Sequence, residues 1–159
     1  MTSLARRPAL LILLAAVAIG IVPQRAQAQL SSCSVSLLPV SFGTVDASSP
    51  ITTTGTGTIT VTCTGLSLFS YTIRLSTGGS GSFASRRMLS GSNQLQYNLY
   101  RDITRTQVWG DGTGGSYSVT GTIVILGSAI PYPVYGSIPG NQNVSSGTYS
   151  DTIQVTVTY

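Results

Sequence analysis

The chain has 159 residues with eight Lys plus Arg against four Asp plus Glu, and Lys, Glu and His are absent altogether. A length of this order suits one domain. Without His or Lys there is no Ser–His–Asp or Ser–Lys nucleophile system and no histidine-bound zinc site. Asp and Tyr are what remains of the usual acid–base side chains, so an enzyme is not expected.

The N-terminus has the layout of a secretory signal peptide. Arg6 and Arg7 precede an apolar run of 13 residues, Ala9 to Ile21, and Ala26-Gln27-Ala28 is a small-x-small cleavage site. The run is shorter than the roughly 20 residues that cross a bilayer. Residues 1–28 are therefore expected to be removed, leaving a domain over 29–159 that has no membrane span. Arg6, Arg7 and Arg25 leave with the signal, and five Arg then face four Asp. Only Arg86-Arg87 are adjacent, so there is no basic patch of the kind that nucleic acid requires.

Two cysteines, Cys33 and Cys63, remain in the exported part. An oxidising compartment favours a bridge between them, which in the loop-entropy account contributes roughly 3.5 kcal/mol. Leu30-Ser31-Ser32-Cys33 also has a faint likeness to a lipoprotein cleavage box. Lipidation there would leave Cys63 unpaired.

Period-two alternation, broken by turn-formers, runs through the exported part. Ser34 to Val40 reads as an opening strand, edge-like because of Pro39. Gly57 to Cys63 sets Ile59, Val61 and Cys63 on one face and Thr58, Thr60 and Thr62 on the other. Tyr71, Ile73 and Leu75 alternate with polar residues, as do Leu95, Tyr97 and Leu99. Gln107 to Trp109 reads as a short strand and Tyr117 to Leu126 as a longer one. Ile130 to Ile138, with its prolines, predicts an edge or bent strand. Asp151 to Tyr159 closes the chain with Ile153, Val155, Val157 and Tyr159 on one face. Glycine-rich and Ser/Asn-rich stretches at 78–81, 110–115 and 140–147 read as loops.

About eight such strands, each with one apolar face, predict an all-β, immunoglobulin-like β-sandwich, with a closed barrel as the alternative. Most of the strands are too short for a transmembrane barrel. Asp46, Asp102, Asp111 and Asp151 are scattered near turns and read as turn caps. The Asp111 loop offers one oxygen ligand but no calcium-loop pattern, and the glycine-rich loops lack a phosphate-binding lysine. Asn143-Val144-Ser145 is a glycosylation sequon of little weight. No catalytic residue, cofactor or metal is expected. Trp109, Tyr117, Tyr132 and Tyr135 are candidates for a carbohydrate- or surface-binding face, against a preferred reading as core.

In order and spacing, these pieces resemble the spore coat U domain family, which includes the Csu-type pilins of archaic chaperone–usher fimbriae. The likeness is carried by Cys33, Phe42-Gly43, Gly57 to Cys63, Tyr71-Thr72-Ile73 and Arg87-Met88-Leu89. It continues through Leu95 to Asp102, Trp109-Gly110-Asp111-Gly112, Val134 to Pro139 and Gly147 to Asp151. The resemblance implies a sandwich lacking one strand. A periplasmic chaperone lends that strand, and a neighbouring pilin-like subunit later replaces it after passage through an outer-membrane usher. It also implies that the last strand (Ile153, Val155, Val157, Tyr159) is the chaperone-docking and strand-exchange edge. It implies, too, a chain that passes through the periplasm to the cell surface, a fimbria or the exterior. Only Gln29 to Ser32 precede Cys33 in the processed chain. At about 3.3 Å per residue, four residues reach roughly 13 Å, too short for a donor arm. The subunit is thus expected to accept a strand without donating one, as at a fibre tip. A spore-coat or envelope protein is the nearest alternative role.

Overall fold

The computed structural model describes residues 32–64, 69–123 and 127–159. The expected signal peptide, Leu30, and the Val124–Leu126 end of one predicted strand lie outside these residues.

Among the described residues eight strands form two sheets. They are β1 (Ser32–Ser41), β2 (Thr53–Thr64), β3 (Ser70–Leu75), β4 (Arg86–Ser90), β5 (Asn93–Tyr100), β6 (Val119–Thr122), β7 (Ala129–Ile138) and β8 (Val155–Thr158). One sheet has the order β1-β2-β7-β5-β4 and the other β6-β3-β8, with every pairing antiparallel. The only helix among the described residues is a single 3-10 turn, Gly78–Ser80. The inner faces merge into one core that includes Ile59, Val61, Tyr71, Ile73, Leu99 and Trp109. This is the expected two-layer sandwich rather than a closed barrel.

The strand set differs from the predicted one in instructive places. Gln107–Trp109 is not a strand; Val108 and Trp109 make isolated bridges to Tyr100 and Tyr117. Instead Arg86–Ser90 forms β4, whose apolar alternation is masked by a buried arginine at its start. The predicted strand at 151–159 narrows to β8, because its partner β3 ends at Leu75, opposite Val155. The Ile130–Ile138 strand is not simply an edge. β7 lies inside the five-stranded sheet, but β5 pairs only with Tyr135, Gly136 and Ser137. Pro131 and Pro133 occupy the stretch that pairs with β2 alone, where a missing N–H removes no second ladder bond. β1 is the edge strand expected, with its register shift between Leu38 and Ser41 around Pro39.

A buried staple holds the two sheets together. Trp109 is 1% exposed. Its backbone N–H donates to Leu99 O of β5 at 2.9 Å, and its indole Nε1–H donates to Ile73 O of β3 at 3.3 Å. Arg86, fully buried, donates to Ser76 O, Asn98 Oδ1 and Trp109 O at 2.7–3.2 Å. These acceptors are uncharged, and burial lowers the guanidinium pKa. Across the core, Tyr71 Oη of β3 lies 2.6 Å from Tyr132 Oη of β7, and burial followed by this bond raises the Tyr71 pKa.

Cys33 and Cys63 form a disulfide between directly opposed residues of β1 and β2. Cys33 is thus engaged in a bridge, which removes the reading of it as a lipidation site.

Candidate functional site

Residues directly opposite each other in a ladder point to the same face. In the β1–β2 register Val35 faces Val61 and Leu37 faces Ile59. Val61 and Ile59 are 0% and 3% exposed, so this is the inward face. Yet Val35 is 40% and Leu37 55% exposed. Two core-facing side chains of β1 therefore have no covering layer among the described residues. The five-stranded sheet extends beyond its three-stranded partner on this side.

The gap is an open groove of about 1000 Å³. Leu37 to Ser48, from β1 and the loop after it, form one wall. Residues 144–153 and Val155 form the other, and Ile59, Leu75, Met88, Leu95, Leu99 and Val134 are among the floor residues. Val40 and Phe42 fold down onto the floor, which is flat there because glycines supply it. A Cβ on Gly136 would sit 2.6 Å from Phe42 Cζ, and one on Gly57 would sit 2.9 Å from Val40 Cγ2. Phe42 also meets the Tyr97 ring edge-on at 6.2 Å.

β8 borders the groove and pairs with β3 alone. Its other edge has no strand partner among the described residues, which leaves backbone N–H and C=O groups free to pair. Of the four residues singled out on this strand, Ile153 and Val155 line the groove and Val157 packs against the core. Tyr159 stands apart: it is 57% exposed and tilted against Phe69 at 5.8 Å between ring centroids.

The groove's two carboxylates are both occupied. Asp151 accepts from Tyr97 Oη at 2.7 Å, from Gly79 N at 3.0 Å and from Thr152 N at 2.8 Å. Burial, then the bond to Asp151, pushes the Tyr97 phenol above its usual range. Asp46 accepts from the hydroxyl and N–H of Ser48, which lower its pKa. Asp102 and Asp111 do the same in their own loops, on Thr106 and Gln107 and on Thr113. Asp46, Asp102 and Asp111 thus cap their own turns, whereas Asp151 ties β5 and the Gly78–Ser80 turn to the connection before β8. No cluster of three or more His, Cys, Asp or Glu that could hold a metal occurs among the described residues. An apolar cleft beside an unpaired strand edge suits an extended apolar segment rather than a polar small molecule.

The aromatic candidates do not come together. Trp109 is core, and Tyr132 is half-buried with its hydroxyl held by Tyr71. Arg101 lies over the Tyr117 ring at 4.7 Å and Arg105 over Tyr135 at 5.8 Å. Residue-by-residue reading missed Leu37, Met88, Val144 and Tyr149 as parts of the groove. The in-phase placement of Cys33, Val35 and Leu37 was the available signal, but alternation alone does not say whether a face is covered.

Over residues 22–156 the chain matches the Spore Coat Protein U domain. It belongs to that family. The family is one of structural proteins. Protein U of Myxococcus xanthus is 38% identical over 86 residues, which is 53% of this chain and 46% of that protein. Among solved structures, the fold is similar to that in the CsuC–CsuE chaperone–tip adhesion subunit pre-assembly complex, from the archaic chaperone–usher Csu pili of Acinetobacter baumannii. The TM-score is 0.59 at 21% identity, covering 82% of this chain and 40% of that one. The chain spans less than half the length of either relative. The structural likeness establishes a common fold for this family member and that pilus complex.

Proposed function

We propose that this protein is a structural subunit of a secreted surface assembly, completed by a strand that another chain inserts between β1 and β8. The inward-facing but uncovered Leu37, which shares the groove with Ile153 and Val155 at the end of the chain where β8 has no second strand partner among the described residues, carries this reading. Main-chain bonds to the strand edges supply affinity, and alternate apolar side chains fill the groove. A periplasmic chaperone is the first donor and a neighbouring pilin-like subunit the second, with an usher between them. The similarity to a subunit solved with its chaperone supports this order. Export by the signal peptide, transit through the periplasm and display at the surface belong to the same proposal. So does the role of Ile153, Val155, Val157 and Tyr159 as the docking edge, with Tyr159 the outermost contact.

Co-expression with a chaperone encoded beside the gene is the test. A stable one-to-one complex is expected, with Val35 and Leu37 protected in it and the domain poorly soluble alone. A soluble monomer that takes up no strand overturns the reading. The finer expectation, accepting without donating, is tested by mixing the processed domain with a subunit stripped of its own donor. Completion of that subunit's groove by this chain would rule it out.

A further inference from the structure

One wall of the groove is not a strand. Between Ile138 at the end of β7 and Val155 at the start of β8 the chain makes only one isolated bridge, Ser150 to Leu89. This connection is pinned at both ends. Asn141 N–H donates to Ser49 O at 2.8 Å and Gln142 N–H to Ala47 O at 2.7 Å. The Gln142 side chain adds bonds to Gln96 N, Gln96 O and Pro139 O at 2.7–2.9 Å. At the far end Ser150 and Leu89 exchange both backbone bonds, and Asp151 is held as described above. Between the pins, residues 143–149 make no backbone bond to either sheet among the described residues. Among the described residues their one hydrogen bond closes the segment on itself, from Tyr149 Oη to Ser145 O at 2.7 Å.

Two side chains of this unbonded stretch, Val144 and Tyr149, nevertheless pack against the core and line the groove. They supply apolar cover that no strand supplies. Meanwhile the alternation of β8 starts at Ile153, ahead of its ladder, so a new partner would extend the strand backward into the space beside them.

Resting on the strand-acceptance reading, we infer that residues 143–149 form a displaceable strap. Val144 and Tyr149 cover the groove beside Ile153 in the free subunit, and an incoming apolar strand lifts them as it zips along β8. Segments with few backbone bonds and a small apolar footprint open at low free-energy cost, which suits a cover that must leave.

The structure offers a lock. A Cβ built on Gly147 lies 3.4 Å from Ser90 Cβ, close to the spacing of a disulfide, and Gly147 is not in the left-handed region. The double variant Ser90→Cys/Gly147→Cys, oxidised, ties the strap to the β4–β5 turn. The single variant Gly147→Cys is the unlocked control. The probe is a fluorescent synthetic peptide alternating Val and Thr, and its association rate is read by anisotropy. The locked protein is expected to bind at least tenfold more slowly, while the control and wild type bind alike. Equal rates for locked and unlocked protein overturn the strap and leave strand acceptance standing. Failure of wild type to bind the peptide or a chaperone overturns both. Hydrogen exchange on unmodified protein checks the same point without substitutions. The 143–149 amides are expected to exchange freely before binding, and full protection in the free subunit overturns the strap.

Discussion

Around Trp109 and along β1 the same sandwich follows opposite rules. At Trp109 one indole, one buried arginine and two backbone bonds, Trp109 N–H to Leu99 O and Leu75 N–H to Gly110 O, tie β3 to β5. Along β1, side chains on the same inward face as the buried Val61 stand open to solvent. The first region is finished by the chain itself, and the second is the one that the proposed incoming strand would finish. Stability and assembly should therefore separate by position. Substitutions in the closed region should unfold the subunit, and substitutions in the open region should leave it folded but unable to take a strand.

The largest effect is expected from Arg86→Ala. It strands the Ser76 and Trp109 carbonyls, while Asn98 Oδ1 keeps only its bond from Leu99 N–H, at a cost of about 3–5 kcal/mol. A denaturant titration of the strand-complemented subunit should show the loss, and a change under 1 kcal/mol would contradict the closed-region account. Next comes Cys33→Ala/Cys63→Ala, for which roughly 3.5 kcal/mol is expected in the same titration. Leu37→Ser should sharpen the contrast. Its stability change should stay within about 0.5 kcal/mol, because more than half of the side chain is already exposed. Strand or chaperone capture should fall at least tenfold in a pull-down, and unchanged capture would break the comparison.

The smallest effect concerns the 101–107 loop. Burial opposes the charge on Asp102, but bonds from Thr104, Thr106 and Gln107 together outweigh it and hold the carboxyl well below the usual range. Its folded pKa is lower than its unfolded one, so its contribution is complete above an unfolded value of about 3.9 and declines as pH falls toward the folded one. Loop amide shifts should stay constant from neutral pH to about pH 5 and move only below about pH 4. Asp102→Asn should abolish that acid dependence, and a wild-type transition near neutrality would show that the capping account is wrong.

Much of the fold was legible because Thr-alternating strands such as β2 and β3 announce both faces at once. Cys33 and Cys63, an even pair in a chain expected to be exported, pointed to a bridge. β4 was not legible, because a wholly buried arginine reads as a surface residue until Asn98, Ser76 and Trp109 are seen around it. Gln107–Trp109 misled for the opposite reason: apolar residues that fill the core from a loop look like a strand. The groove was the least legible part. Whether Val35 is covered depends on how far a second sheet extends, and the alternation within β1 carries no trace of that. Val144 and Tyr149 belong to a polar, glycine-containing stretch whose packing is settled only by its pinned ends.

The disulfide has a mechanical consequence. Cys33 opens β1 and Cys63 lies near the end of β2, directly across the ladder. A pull applied ahead of Cys33 enters β2 through the sulfur bridge instead of unzipping β1 bond by bond. β2 in turn is paired along ten residues with β7 in the interior of the sheet. The strand that forms the groove's outer wall is thereby shielded from tension, and a guest strand of the kind proposed would keep its seat against it under load.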